Sequence, residues 1–273
     1  MSGKLYIVGT PIGNLGDFSP RAIETLKSVD FIAAEDTRVT LKLLNKFEID
    51  TPMISYHEHN KASRHEEIAS RIAAGESGAL VTDAGMPAIS DPGEDLVRFC
   101  HERGVAVESV PGPSALITAL AISGMPSSRF SFEGFLPVAK AERTERLASV
   151  KQYEGTLIFY EAPHKLKATL ADMCSVLGDR EIALVRELTK LHETVERTTL
   201  CQAVEMYSEK EPKGEFVLIV GGAKKETAEY TLDSAVALAK KYLGEGMGAS
   251  NAAKAAAAET GFKKGDIYKE LIK

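Results

Sequence analysis

Short β-branched and aliphatic runs alternate with stretches whose apolar positions recur every three or four residues over the first 123 positions. Residues 5–8, 31–34, 78–82 and 105–110 read as strands. Helices are expected to begin after Ser19 and run to about Val29, then over 38–47, 60–74, 93–103 and 114–123. Ser19-Pro20 is an N-cap followed by proline at the first helical position. Ile68 and Ile72 share one face of the third helix, and Gly104 stops the fourth. Strands separated by helices predict a largely parallel sheet covered on both faces.

The pattern restarts near Pro126. Residues 130–135 are aromatic and extended, 140–153 charged and helical, 156–160 a strand, and 165–177 a helix ending at Gly178. Further strands are expected at 181–186 and 215–220, giving a second α/β unit of mixed pairing. Gly221-Gly222-Ala223-Lys224-Lys225-Glu226 reads as a linker. A small helical module follows: a helix over 232–243, a glycine-rich break at 244–248, an alanine-rich helix capped by Ser250 and reaching Glu259, and a short last helix. Its size is that of a helix-turn-helix. The expected fold class is therefore α/β, with domains at 1–124 and 125–223 and a linker and helical module at 224–273. No repeat of solenoid period interrupts this plan.

Composition narrows the class. Of the 273 residues, 44% are hydrophobic and 26% charged, the balance of a globular chain with a full core. The longest apolar runs, such as Phe216-Val217-Leu218-Ile219-Val220, are far too short to cross a bilayer, and the start shows no signal-peptide pattern. A cytoplasmic location is the expectation. Cys100, Cys174 and Cys201 are odd in number and widely spaced, so three ordinary thiols are expected rather than a disulfide or zinc framework. Net charge is −6, with +2 over residues 224–273 and −8 over the rest. Any nucleic-acid contact must then come from local patches.

Ligands of an open parallel sheet sit beyond the carboxyl ends of its strands, which directs attention to three loops. Gly9-Thr10-Pro11-Ile12-Gly13-Asn14-Leu15 follows the first strand, but Pro11 has no N–H to offer a pyrophosphate. A nicotinamide site is disfavoured, even with Glu35 and Asp36 about 20 residues on, where a ribose-binding acid would belong. The loop of Asp83-Ala84-Gly85-Met86-Pro87-Ala88-Ile89-Ser90-Asp91-Pro92-Gly93 is either a rigid connection or a set of backbone groups presented to a small cofactor. In Val110-Pro111-Gly112-Pro113-Ser114-Ala115, Ser114 is either a plain N-cap or a hydroxyl beside helix amides that suits a carboxylate.

Taken with Glu35-Asp36-Thr37-Arg38, Phe132-Glu133-Gly134-Phe135-Leu136-Pro137, Phe159-Tyr160-Glu161-Ala162-Pro163-His164-Lys165, Arg186-Glu187-Leu188-Thr189-Lys190-Leu191-His192-Glu193 and Gly214-Glu215-Phe216-Val217-Leu218, these loops resemble the tetrapyrrole-methylase superfamily. Within it the chain resembles the bacterial ribosomal RNA small-subunit methyltransferase I family over residues 4–223. The resemblance implies two α/β domains, a homodimer, and S-adenosylmethionine (SAM) folded in the interdomain cleft. It also implies methylation of a cytidine ribose 2′-oxygen in the decoding region of 16S rRNA, within the small subunit. By position, the cofactor should meet Pro11, Asp83, Ala84, Gly85, Met86, Ala88, Ile89, Ser90, Ser114, Ala115, Tyr160, Glu161, Leu188, Glu215 and Phe216. The Gly-Asp-Pro of the porphyrin and corrin enzymes is here Gly85-Met86-Pro87, which argues against a tetrapyrrole substrate.

Methyl transfer from a sulfonium asks mainly for in-line positioning. A ribose hydroxyl is a poor nucleophile, so a base or charge partner helps. Glu133, Glu187 and His192 have the right residue type for a base, and Lys190 and Arg38 could steady an alkoxide or hold flanking phosphates. Each could equally serve an interdomain ion pair. No metal is called for. His57, His59, His65 and His101 read as surface residues, and Lys254, Lys263, Lys264 and Lys269 as either RNA contacts or solvated charges. The rivals are a tetrapyrrole methylase of the same fold, a SAM-sensing helix-turn-helix regulator and the disfavoured nicotinamide oxidoreductase.

Overall fold

The computed structural model describes residues 3–224 and 230–273. Its first half is a sheet of β1 (Lys4–Val8), β2 (Phe31–Ala34), β3 (Met53–Ser55), β4 (Gly78–Val81) and β5 (Ala106–Val110), in the order β3-β2-β4-β1-β5. Every pairing is parallel. The connections are α1 (Pro20–Ser28), α2 (Thr37–Lys46), α3 (Lys61–Ala73) and α4 (Gly93–Glu102), with α5 (Ala115–Ser123) leaving the last strand. Side chains alternate across a strand, and β1 shows it: Val8 joins Leu26 and Leu44 of α1 and α2, while Leu5 and Ile7 join Ile68, Ile72 and Leu96 of α3 and α4. Ser19 caps α1 as expected, accepting from the Ala22 N–H with Pro20 at the first turn.

The second sheet contains β6 (Phe130–Phe135), β7 (Thr156–Glu161), β8 (Glu181–Arg186), β9 (Thr194–Thr199) and β10 (Phe216–Val220), ordered β6-β7-β10-β8-β9. Only the β6–β7 pairing is parallel, so the sheet is mixed. One face is covered by α6 (Lys140–Ser149), α7 (Leu166–Leu177) and α8 (Leu200–Glu209). The opposite face, with Ile158, Ala183, Val185, Val217 and Ile219, is covered by Leu116, Ala119 and Leu120 of α5. Thus α5 follows the first sheet in the chain but packs on the second, which explains why it is apolar nearly all round.

A buried ion pair ties α6 to α7. Arg143 meets Asp172 at 2.6–2.7 Å, and its remaining donors reach the carbonyls of Pro137 and Val138. Nearby, Cys174 of α7 and Cys201 of α8 form a disulfide with Cα atoms 5.5 Å apart, where free thiols were expected. Helix packing joins them, which a separation of 27 residues without a motif does not announce. Cys100 is a free, buried thiol whose pKa burial pushes up to about 11.

Other expectations also change. His65 is half-buried rather than a surface residue: its Nε2 lies 2.9 Å from the Tyr56 hydroxyl and its ring stacks on Phe99. Since the Tyr56 hydroxyl donates to the Pro92 carbonyl, His65 Nε2 must carry the proton between them. His57 is partly buried too, whereas His59 and His101 are exposed. The expected linker begins later than 221, because the Gly221 N–H donates to the Glu181 carbonyl and the Ala223 N–H to the Tyr153 carbonyl. Lys225 and Glu226 of that linker lie outside the described residues.

The chain up to Ala223 forms one compact unit and Lys224–Lys273 another. The second unit packs α9 (Leu232–Gly244), α10 (Ala249–Thr260) and α11 (Lys264–Leu271) around Ala235, Val236, Ala239, Ala253, Ala256 and Ile267. Ser250 sits inside α10 rather than capping it, and its hydroxyl accepts from Lys264. Among the described residues, no helix is long and apolar enough to cross a membrane.

Candidate active site

The carboxyl ends of the first sheet's parallel strands lie on one edge, and the loops after β1, β2, β4 and β5 meet there. Thr10, 1% exposed, is paired to Gly85 through both backbone groups, and its hydroxyl donates to the Thr82 carbonyl at 3.1 Å. A Cβ at Gly9 would lie 2.6 Å from the Gly112 Cα and 2.7 Å from the Met86 sulfur, so the β1 and β5 loops touch backbone to backbone. The loop after β4 folds around Asp91, whose Oδ1 accepts from the Ala88 and Gly93 N–H groups at 2.8 Å each. Ala88 and Ser90 take left-handed φ values of +70° and +67°. Strained non-glycine backbone of this kind gathers at functional sites.

The second sheet faces this edge with the turn after β8. Glu187 and Thr189 are also left-handed, at φ +54° and +64°, and Lys190 Nζ pairs with Glu187 at 3.2 Å. Gly13 of the first loop lies against this turn: a Cβ there would come within 2.9 Å of the Lys190 and Thr189 side chains. Ser114 stands at the cap of α5 but makes no side-chain capping bond. The free helix N–H of Leu116 instead donates to the Tyr160 hydroxyl, at 3.1 Å, from β7 of the other sheet. The ring of Tyr160 meets Phe132 and Phe135 edge to face at 4.9 and 5.5 Å, and Phe135 is 54% exposed.

Between the two loop sets is a cavity of about 320 Å³, at the small end of the usual range for a small-molecule site. Its wall includes Asp83, Ala84, Gly85, Met86, Ile89, Ser90, Ser114, Ala115, Tyr160, Glu161, Leu188, Glu215 and Phe216 of the expected cofactor residues. Pro11 and Ala88 are not on the wall: Pro11 is buried, and Ala88 serves the Asp91 turn. Ile12, Glu35, Thr82, Asp91, Phe135, Val185, Arg186 and Val217 also line it, beyond those expected from the sequence. Most of these lie within or next to segments already singled out, and Val185 and Val217 share the inward face of adjacent paired strands.

Of the five catalytic candidates, the cavity wall includes Glu187 and Lys190. Glu133 is turned into an ion pair with Arg146 at 2.6 Å and accepts from Ser131. Arg38 projects into solvent, 87% exposed, and is gripped by Asp36 at 2.7 Å. That grip holds the Asp36 carboxyl at about 2. His192 lines an adjoining open cleft.

The wall carries the carboxylates of Glu35, Asp83, Asp91, Glu161, Glu187 and Glu215 against the cations of Arg186 and Lys190. Its field favours a cationic ligand. Burial raises the Asp91 pKa, and burial with Glu35 and Asp36 nearby raises that of Asp83. Glu161 is 2% exposed and accepts from Thr169 and from the Ala162 N–H, so it fixes the end of β7. Among the described residues, no group of three or more His, Cys, Asp or Glu could hold a metal ion.

The family profile of tetrapyrrole (corrin/porphyrin) methylases matches residues 4–204. The chain is 47% identical over 268 residues to the ribosomal RNA small subunit methyltransferase I of Synechocystis sp., covering 97% of this chain and 96% of that protein. Its identity to the protein of the same name from Bacillus subtilis is 45%, with coverage of 97% and 93%. The Escherichia coli O157:H7 protein of that name is 44% identical, covering 99% and 95%. A diphthine synthase structure superposes with a TM-score of 0.64 at 12% identity, over 81% of this chain and 90% of that one. A uroporphyrin-III C-methyltransferase from Thermus thermophilus complexed with S-adenosyl homocysteine gives 0.53 at 20%, over 79% and 97%. At such identities these structures attest the fold alone.

Proposed function

This chain belongs to the tetrapyrrole (corrin/porphyrin) methylase family, and from that premise we propose that it transfers a methyl group from SAM to the ribose 2′-hydroxyl of a cytidine in 16S rRNA. The observation that carries the reading is 44–47% identity, along nearly the whole chain, to proteins named for ribosomal RNA methylation. Gly85-Met86-Pro87, in place of the Gly-Asp-Pro of the tetrapyrrole enzymes, supports the RNA substrate over the porphyrinoid one. The two lobes, 1–124 and 125–223, would hold the cofactor between them, and the lysines of 224–273 would add charge for RNA. The protein would act in the cytoplasm as a homodimer.

The wall fits SAM on chemical grounds. Six carboxylates suit a sulfonium, the Ser114 hydroxyl and the first amides of α5 suit a carboxylate, and the backbone of 83–90 suits an adenosine. Bound SAM supplies an electrophilic methyl group. The strained turns at Ala88–Ser90 and Glu187–Thr189 fix the walls in advance, so little reorganisation accompanies transfer. Lys190 would hold the ribose oxygen as it gains negative charge, and Glu187 would take its proton; both line the cavity. Phe135, exposed at the cavity, offers a face on which an unstacked base can rest.

The test is to incubate the protein with radiolabelled SAM and small ribosomal subunits from cells lacking the gene. Label in 16S rRNA that survives alkali as a dinucleotide is expected. Label at a base, or none in RNA despite SAM binding, would refute the proposal.

A further inference from the structure

Beside the cofactor cavity, and sharing Arg186 and Glu187 with it, is an open cleft of about 610 Å³. It is built from the end of β8, the turn 187–194 and the approach to β10, where Lys213 and Gly214 stand. Its electrostatics differ from those of the cavity. Its lining balances two acids with two cations, whereas the cavity is acidic; Glu187 is paired with Lys190, and Glu193 is tied to the turn by the Thr189 N–H at 2.8 Å. Arg186, Lys213 and His192 make no ion pair or side-chain hydrogen bond among the described residues. Arg186 Nε is buried with no hydrogen-bond partner at all. A buried unpaired donor on a cation is costly unless a ligand satisfies it.

We propose that this cleft receives the RNA phosphodiester next to the target nucleotide, with Arg186, Lys213 and His192 as its anion-binding groups. The inference rests on the reading of the chain as an RNA methyltransferase and adds a site to it. A chain of net charge −6 repels a polyanion as a whole, so RNA needs a local cationic foothold close to the reacting ribose. The cleft supplies one next to the cavity, with which it shares Arg186 and Glu187. The side chains touching the phosphate position the strand, while the cavity selects the nucleotide. Gly214 keeps the entrance open: it has φ +76°, and a Cβ there would sit 2.3 Å from the Glu187 carboxylate.

Lys213 is exposed and remote from the core, so Lys213→Glu should fold, and Lys213→Arg serves as the conservative control. The probes are SAM alone and small subunits from cells lacking the gene, titrated with salt. Lys213→Glu should bind SAM as the wild type does, lose about tenfold in affinity for the subunit, and show a salt slope shallower by about one. Lys213→Arg should restore both, and His192→Ala should weaken the subunit alone. If the wild type methylates RNA but Lys213→Glu matches it in affinity and slope, the cleft proposal is overturned while the RNA reading stands. A parallel loss of SAM binding would overturn it by assigning Lys213 to the cofactor. A wild type that neither binds nor methylates RNA overturns the underlying reading, and the cleft with it.

Discussion

Replacing Tyr160 by phenylalanine removes one oxygen and leaves the ring against Phe132 and Phe135. That oxygen accepts from the Leu116 N–H, one of the amides that α5 cannot satisfy internally, and Ser114 does not take its place. A net hydrogen bond of this kind stabilises by about 0.5–1.5 kcal/mol, and a fully stranded donor costs about 1–3. Water entering from the cavity can partly replace the hydroxyl, so a loss of about 1 kcal/mol is expected. For a unit of this size that is a fall of about 2–4 °C in Tm. Urea unfolding without ligand should show a lower midpoint at unchanged m. Burial raises the phenol's pKa, so it stays neutral and the difference should be flat across neutral pH. Because the hydroxyl keeps its own proton for a ligand, SAM affinity should also fall, by about fivefold. If the midpoint and Tm of Tyr160→Phe equal those of the wild type at equal m, the hydroxyl does not cap the helix and the reasoning fails.

Asp172→Ala should destabilise by about 3–5 kcal/mol, since Arg143 would remain buried without its partner; a loss under about 1 kcal/mol by urea denaturation would contradict the buried pair. Reducing Cys174–Cys201 frees a 27-residue separation in the unfolded chain and should lower stability by up to about 3–4 kcal/mol, read as a shift in denaturation midpoint with and without dithiothreitol. Burial lifts the folded-state pKa of Asp91 above its unfolded value, so its contribution is complete below the unfolded pKa and is lost as pH rises through the folded one. Asp91→Asn keeps an oxygen for Ala88 and Gly93, so ligand-free protein should match the wild type in acid and exceed it above that window; parallel pH profiles would disprove the assignment. Glu187→Gln should lower kcat more than the KM for SAM, and an unchanged kcat would remove Glu187 as the proton acceptor.

The first sheet could be read because β2 and β4 are buried on both faces and α1 and α2 begin at the side-chain caps Ser19 and Asp36. β3 escaped because it is only three residues long, and β9 because Thr194-Val195-Glu196-Arg197-Thr198-Thr199 is a polar edge strand with one aliphatic residue. The cavity wall was legible where turn-forming residues follow a strand. Val185, which reaches it from a strand face, carries no local signal. Glu133 and Arg38 looked catalytic by type, but their ion pairs with Arg146 and Asp36 depend on side-chain placement that spacing does not encode. The same limit hid the bond from Tyr160 to Leu116, which joins positions 44 residues apart.

The crossing of α5 from one sheet to the other has a consequence for assembly. The first sheet brings α1 to α4 to both of its faces and can close its core as it leaves the ribosome. The second sheet cannot, since no helix encoded after Gly124 in the same unit covers Ile158, Val185, Val217 and Ile219. A fragment cut at the apparent boundary near residue 125 would therefore present a bare aliphatic face and aggregate. One that begins before Ser114 would carry its own lid. Folding of the second lobe must wait for a helix already tethered to the first, so the two walls of the cavity are brought together by the same event that completes the core.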